Sequence, residues 1–153
     1  MTFPLAVRDI CPDDRAAWAR LWDGYNAFYG RAGQTALAAE ITDATWERFF
    51  DPAEPVHALV ADAGGELVGL AHYLFHRSTT ELALTCYLQD LFTSEAARGR
   101  GVGRALIEAV YAAASAAGAA EVYWQTHETN HSARTLYDKV AAHSGFIVYG
   151  KAV

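Results

Sequence analysis

The chain has 153 residues, 52% of them apolar and 20% charged, with a formal net charge of −6. That length holds one domain whose core needs no disulfide or metal staple, and the apolar share excludes a disordered chain. The negative balance argues against a general nucleic-acid binder, which must neutralise phosphates with a basic surface, and leans toward cationic partners.

Leu5 to Ile10 read as a short opening strand. No basic stretch followed by an apolar run precedes it, so no secretory leader is expected. Pro12 and Asp13 start a helical pattern whose apolar stripe is Trp18, Leu21, Trp22, Tyr25, Phe28 and Tyr29, broken by Gly30 and Gly33. A second helix is expected after Asp43, carrying Trp46, Phe49 and Phe50 and stopping before Pro52. His57 to Ala61, Leu67 to Phe75 and Leu82 to Thr93 read as strands, with turns at residues 63–65 and 78–80. Helix returns from about Gly103 to Ala117, and its alanine-rich end, interrupted by Ser115 and Gly118, is too short to span a bilayer. Glu121 to Thr126 is a strand, Asn130 or Ser132 caps a helix to about Ala142, and Phe146 to Tyr149 form a last strand. Strands and helices alternate only in the second half, which predicts a mixed sheet with parallel pairing near its centre. Cys11 and Cys86 match neither a disulfide framework nor a metal spacing, and the six histidines are scattered. The cysteines read as reduced thiols of a cytoplasmic protein, and no metal site is expected.

The stretch Arg98-Gly99-Arg100-Gly101-Val102-Gly103-Arg104 lies between a predicted strand and a predicted helix. Alternating glycines let backbone N–H groups converge, and the following helix adds unpaired N–H groups and the positive end of its dipole. Together they suit a pyrophosphate, and the arginines add attraction. No Lys-Ser or Lys-Thr completes a P-loop, and the glycine spacing fails the dinucleotide fingerprint.

The context is more specific. Arg98-x-x-Gly101-x-Gly103 follows Tyr87-Leu88-Gln89-Asp90-Leu91-Phe92-Thr93 closely, and Asn130-x-x-Ala133-x-x-x-Tyr137 and Gly145-Phe146 lie downstream. From about Leu82 to Gly150 this resembles the cofactor-binding half of the GNAT superfamily of N-acetyltransferases. Tyr87-Leu88 with Asp90-Leu91-Phe92, and Trp124-x-Thr126-x-x-x-Asn130, are similar to the branch of diamine and polyamine acetyltransferases and Hpa2-like enzymes. The resemblance implies an α/β (α+β) fold with a mixed, centrally splayed β-sheet of about six to seven strands flanked by about four helices. It implies acetyl-CoA as cofactor, held by Leu91, Phe92 and Thr93, by the turn from Arg98 through Gly99, Arg100, Gly101, Val102 and Gly103 to Arg104, and by Asn130 and Ala133. Tyr137 takes the role of general acid to the leaving thiolate, and Asp90 lies at the acceptor-facing position. Trp22, Tyr25, Gln89, Asp90 and Glu128 are the expected substrate-side residues. Many polyamine-type relatives have Glu-Asp where this chain has Gln89-Asp90, which weighs against a polycationic substrate.

The expectation is a single domain over residues 1–153 that acetylates a primary amine of a small molecule, such as a diamine or an amino acid, with no nucleic-acid or membrane partner. A protein or peptide acetyltransferase and a non-catalytic acyl-CoA sensor are the alternatives. A homodimer is the expected assembly, with the C-terminal strand exchanged or paired across its interface.

Overall fold

Apolar alternation in the middle of the chain and helical spacing on either side of it set the architecture. The computed structural model describes residues 3–153. In chain order the elements are β1 (Leu5–Asp9), α1 (Arg15–Phe28), α2 (Ala39–Arg48), β2 (Val56–Ala63), β3 (Leu67–Arg77), β4 (Leu84–Thr93), α3 (Val102–Ala116), β5 (Ala119–Tyr123) and α4 (His131–Val140). The sheet runs β1-β2-β3-β4-β5, antiparallel up to β4 and parallel between β4 and β5.

The two faces of the sheet carry separate cores. Leu59, Ala61, Ala71, Tyr73, Cys86 and Leu88 pack with Val102, Leu106, Ile107 and Val110 of α3. On the other face Ala58, Val60 and Leu70 pack with Trp18, Leu21, Trp22 and Tyr25 of α1, and α2 adds Trp46. Burying each large side chain contributes about 1.5–3 kcal/mol. A polar hinge holds α1 against the sheet: the Asp14 carboxylate accepts the Cys11 N–H at 2.8 Å and both terminal nitrogens of Arg8 at 2.8 and 3.0 Å. Hydrogen bonding from the Arg8 guanidinium pulls the Asp14 carboxyl down to about 2, against the desolvation that opposes it.

Strand β4 departs from regularity twice, and both departures shape the site. It pairs with β5 only from Leu84 to Tyr87, so the sheet splays and the edge of residues 88–93 is open on that side. On the β3 side, Tyr73 faces Leu88 and His72 faces Asp90, leaving Gln89 as an extra residue. Such a bulge turns the following side chain to the opposite face. Leu88 therefore belongs to the α3 side, whereas Asp90 joins His72 on the α1 side.

The sheet has five strands rather than six to seven. The difference lies in residues 146–149, which carry no strand pairing and stand in solvent, Phe146 at 87% and Tyr149 at 88% exposure. Phe-Ile-Val-Tyr is apolar on both faces, which suits a strand covered on both sides. Helix α2 begins at Ala39 rather than after Asp43, and β5 ends at Tyr123 rather than Thr126. Among the described residues no helix is long and apolar enough to cross a membrane.

Candidate active site

The splay and the glycine turn build one side of the site. Gly99 and Gly101 have φ of +78° and +81°, a left-handed conformation that L side chains rarely adopt, and Gly101 caps α3. The first N–H groups of α3 consequently face outward without helical acceptors. Val102 is in the core, so only its backbone reaches the turn. The predicted arginines behave differently from one another. Arg98 folds back, its Nε donating to the Thr93 carbonyl at 3.3 Å and its guanidinium lying over Phe92. Arg100 lies over Phe3, and Arg104 pairs with Glu108 at 2.9 Å on the exposed helix surface.

A cavity of about 300 Å³ opens where β4 leaves β5. Leu91, Phe92, Thr93, Arg98, Gly103, Asn130, Ala133 and Tyr137 line it, with Tyr25, Phe28 and Tyr29 from α1 and its end. Asn130 caps α4 while its Nδ2 donates to Thr126 Oγ1 at 3.2 Å. Tyr137 sets its ring edge-on to Trp124 at 5.4 Å. Burial, with a smaller effect from Tyr29, pushes the Tyr137 phenol up to about 12. A second cavity of about 460 Å³ lies between α1 and the β2–β3 turn, and Phe92 is the one predicted site residue that lines both.

Beneath α1 the bulge creates a buried polar chain. Trp18 Nε1–H donates to His72 Nε2 at 2.9 Å, and His72 Nδ1 meets Asp90 Oδ2 at 2.9 Å. An indole nitrogen can only donate, so Nε2 is the accepting nitrogen and the ring proton sits on Nδ1, which donates to the carboxylate. His72 and Asp90 are 3% and 8% exposed and Trp18 is wholly buried. Rings of Trp18, Trp22 and Phe49 enclose the imidazole. Tyr25 stacks on Trp22 at 5.2 Å. Its phenol is held protonated mainly by burial, then by the charge of Asp90 and its hydrogen bonding to that carboxylate.

The structure therefore brings Asp90, Tyr25 and Trp22 together and sets them beside the cavity that holds Tyr137. It does not bring in Gln89 or Glu128. Gln89 is the exposed bulge residue, and the Glu128 side chain is exposed in the loop before α4, where only its backbone carbonyl is engaged, by Arg134. His72 and the indole N–H of Trp18 are functional candidates that the sequence reading missed. One signal was available: His72 is an ionisable residue in the middle of an otherwise apolar strand, where it must find a partner.

The chain's relatives fit this geometry. A model of the acetyltransferase (GNAT) family matches residues 18–142. Among curated proteins the chain is 37% identical over 147 residues to the D-amino-acid N-acetyltransferase HPA3 of Saccharomyces cerevisiae, covering 95% of this chain and 89% of the yeast protein. It is 30% identical over 145 residues to the uncharacterized N-acetyltransferase YhfO of Bacillus subtilis, covering 94% of each chain. Among solved structures, an aminoglycoside acetyltransferase from an uncultured soil metagenomic sample, in complex with sisomicin, has a TM-score of 0.82 at 14% identity, covering 98% of this chain and 97% of that one. AAC(6′)-Iy in complex with a CoA-containing bisubstrate analog has a TM-score of 0.82 at 16% identity, covering 97% and 98%. At these identities the structural likeness is one of fold.

Proposed function

The chain belongs to the acetyltransferase (GNAT) family and is an acetyl-CoA-dependent N-acetyltransferase, and on that premise we propose that residues 1–153 form one domain that acetylates a primary amine of a small molecule, such as an amino acid or a diamine. The observation that carries this reading is the bulge at Gln89, which turns a buried carboxylate, Asp90, toward the α1 side next to the open edge of β4.

The residues present fit the cofactor. The free N–H groups at the start of α3 suit a pyrophosphate, and the unpaired edge of residues 88–93 offers strand-type hydrogen bonds to pantetheine amides. Bound acetyl-CoA supplies an acetyl carbon attached to a thiol leaving group. Asp90, whose Oδ2 is fixed by His72, holds the amine by a charge-assisted hydrogen bond. A lysine-like amine has a pKa of about 10.4, so Asp90, directly or through water, takes the proton that frees the nitrogen lone pair. Backbone N–H groups around Leu91 to Thr93 donate to the carbonyl oxygen as negative charge builds there. Tyr137 keeps its proton at working pH and donates to the departing sulfur. A phenol near 12 lies about three units above a thiol at about 8.5, so it acts through a hydrogen bond that strengthens as the sulfur gains charge. The yeast relative, named as acting on D-amino acids, supports a small acceptor.

The exposed run Phe146 to Tyr149 supports a homodimer in which this segment of one copy adds to the open edge of β5 in the other, since β5 pairs only with β4 among the described residues.

Two measurements test the function. Acetyl-CoA at about 100 times its Kd should stabilise the fold by about 2.7 kcal/mol. Thiol release from acetyl-CoA should then depend on the amine in a panel of amino acids and diamines. Absence of both the stabilisation and the release removes the proposal, and release with peptides alone turns it to a protein acceptor.

A further inference from the structure

Arg31 stands directly after α1 and is pinned from behind. Its backbone N–H donates to the Asn26 carbonyl at 2.8 Å, and its side-chain Nε donates to Asn26 Oδ1 at 2.7 Å. Asn26 is itself buried, and its Nδ2 donates to the Trp22 carbonyl at 2.9 Å, so both arms of the amide are committed. The guanidinium lies over the rings of Tyr25 and Tyr29, at 5.9 and 5.6 Å from their centroids. Its two terminal nitrogens have no acceptor among the described residues. Arg8, Arg15 and Arg104 are paired with carboxylates, and Arg31 differs from the remaining arginines in being held by the buried Asn26 amide and two tyrosine rings with both terminal nitrogens free. In a chain of 18 acidic residues, an immobilised guanidinium left without a carboxylate is a seat for one supplied from outside.

The position of that seat gives it meaning. Tyr25 and Tyr29, which carry the guanidinium on their rings, line the cavity that holds Tyr137, and Tyr25 stacks on Trp22, whose ring lies 5.0 Å from the His72 imidazole that binds Asp90. The neighbouring Trp22 indole N–H is also buried without a protein acceptor. We propose that Arg31 binds the α-carboxylate of the acceptor, so that the site takes a zwitterionic amino acid with its ammonium group at Asp90 and its carboxylate at Arg31. This rests on Asp90 being the amine-binding group of an acetyltransferase. An amino acid presents one charge of the required sign to each of the two groups. A diamine would bring its second cation toward Arg31, and a simple monoamine would leave the guanidinium without a partner.

The experiment compares matched acceptors: D- and L-amino acids, their methyl esters, and the corresponding decarboxylated amines, with thiol release from acetyl-CoA giving kcat/KM for each. The expected wild-type ratio of free acid to methyl ester is tenfold or more for at least one enantiomer. Arg31→Gln is expected to bring that ratio to within about twofold of unity, mainly through KM of the acid, and Arg31→Lys to restore part of it, because a point charge replaces the fork. Thermal unfolding of each variant, with and without acetyl-CoA, reports whether the fold and donor side persist. A wild-type ratio near unity, or a ratio that Arg31→Gln leaves unchanged, overturns the carboxylate seat alone. No thiol release with any amine overturns the acetyltransferase reading and the seat with it.

Discussion

Replacing His72 by leucine breaks two hydrogen bonds at one residue and separates a positioning role from a packing one. Asp90 loses the Nδ1–H that fixes Oδ2, a bond to a charged acceptor worth about 1.5–3 kcal/mol. Trp18 loses its only acceptor, and an orphaned buried donor costs about 1–3 kcal/mol. The apolar leucine offsets about 1.5–2 kcal/mol of this by burial, because the surrounding rings are aromatic. The net expectation is a loss of about 1–4 kcal/mol in unfolding free energy, read by urea denaturation. The effect on chemistry has a different signature. An unfixed Asp90 should lower kcat/KM for the amine by about 10–100-fold, the rate equivalent of the lost charged bond. Acetyl-CoA affinity by calorimetry should stay within a few-fold, since His72 lines neither cavity. His72→Asn restores a donor near the Nδ1 position and should recover much of the rate while leaving Trp18 unpaired. If His72→Leu lost stability but kept kcat/KM within twofold, or if the asparagine were no better than the leucine, the orientation of Asp90 would not depend on this chain of bonds.

Tyr137→Phe keeps the edge contact with Trp124 and should slow turnover by about 10²–10⁴-fold while acetyl-CoA affinity changes little. Burial holds the Tyr137 phenol near 12, so its proton is retained on the alkaline side, and the wild-type rate should show no falling limb up to about pH 10. A falling limb that disappears in the phenylalanine variant would contradict that environment. Asp14→Asn should cost about 2 kcal/mol at pH 7, because Arg8 lowers the carboxyl to about 2. A lowered carboxyl stabilises the fold fully above its unfolded value of about 3.9 and loses that contribution as pH falls toward 2. Wild type and variant should therefore converge in acid, and a gap independent of pH would assign it to packing instead. Ile147→Lys places a charge in the exposed apolar run and should convert a dimer to a monomer by light scattering. A wild-type mass of one chain, or a variant still of two, removes the strand-addition interface.

Local physics was legible in the sequence and non-local registration was not. Of the stripe Trp18, Leu21, Trp22, Tyr25, Phe28 and Tyr29, the first four are buried because α1 lies on one face of the sheet, whereas Phe28 and Tyr29 at its end are exposed at the rim of the cavity. The glycine turn was legible because positive φ is a demand on a single residue, met at Gly99 and Gly101. The partners of Asp90 were not. A regular β4 would send Asp90 to the same face as Cys86 and Leu88, and only the unpaired Gln89 reverses this, which composition does not encode. His72 and Trp18 approach Asp90 from elements 18 and more residues away in sequence, so no local spacing reports them. Arg31 follows the helix-breaking Gly30 and read as loop, although the buried Asn26 one turn earlier is what holds it. Phe146 to Tyr149 show the opposite failure. Strand composition was present, but a strand also needs an edge to pair with, and composition does not say which edge or whether the same copy supplies it.

Strand β4 explains why the acceptor and donor sides meet at a defined point. Its first half is locked between β3 and β5, which fixes the strand in the sheet. At Gln89 the register slips by one residue, and the Asp90 carboxylate, proposed to hold the amine, turns under α1, where His72 fixes it. In the next residues β5 has already diverged, so the edge of residues 88–93 that faces away from β3 has no strand partner among the described residues. In the proposed reaction the amine and the acetyl group are thus aligned by adjacent residues of one strand rather than by two separate loops. Proximity of that kind contributes to rate only when the reacting atoms are held within a narrow geometry. A strand anchored by two cores supplies it, and in the proposed reaction Tyr137 meets the departing sulfur from the α4 side of the cavity.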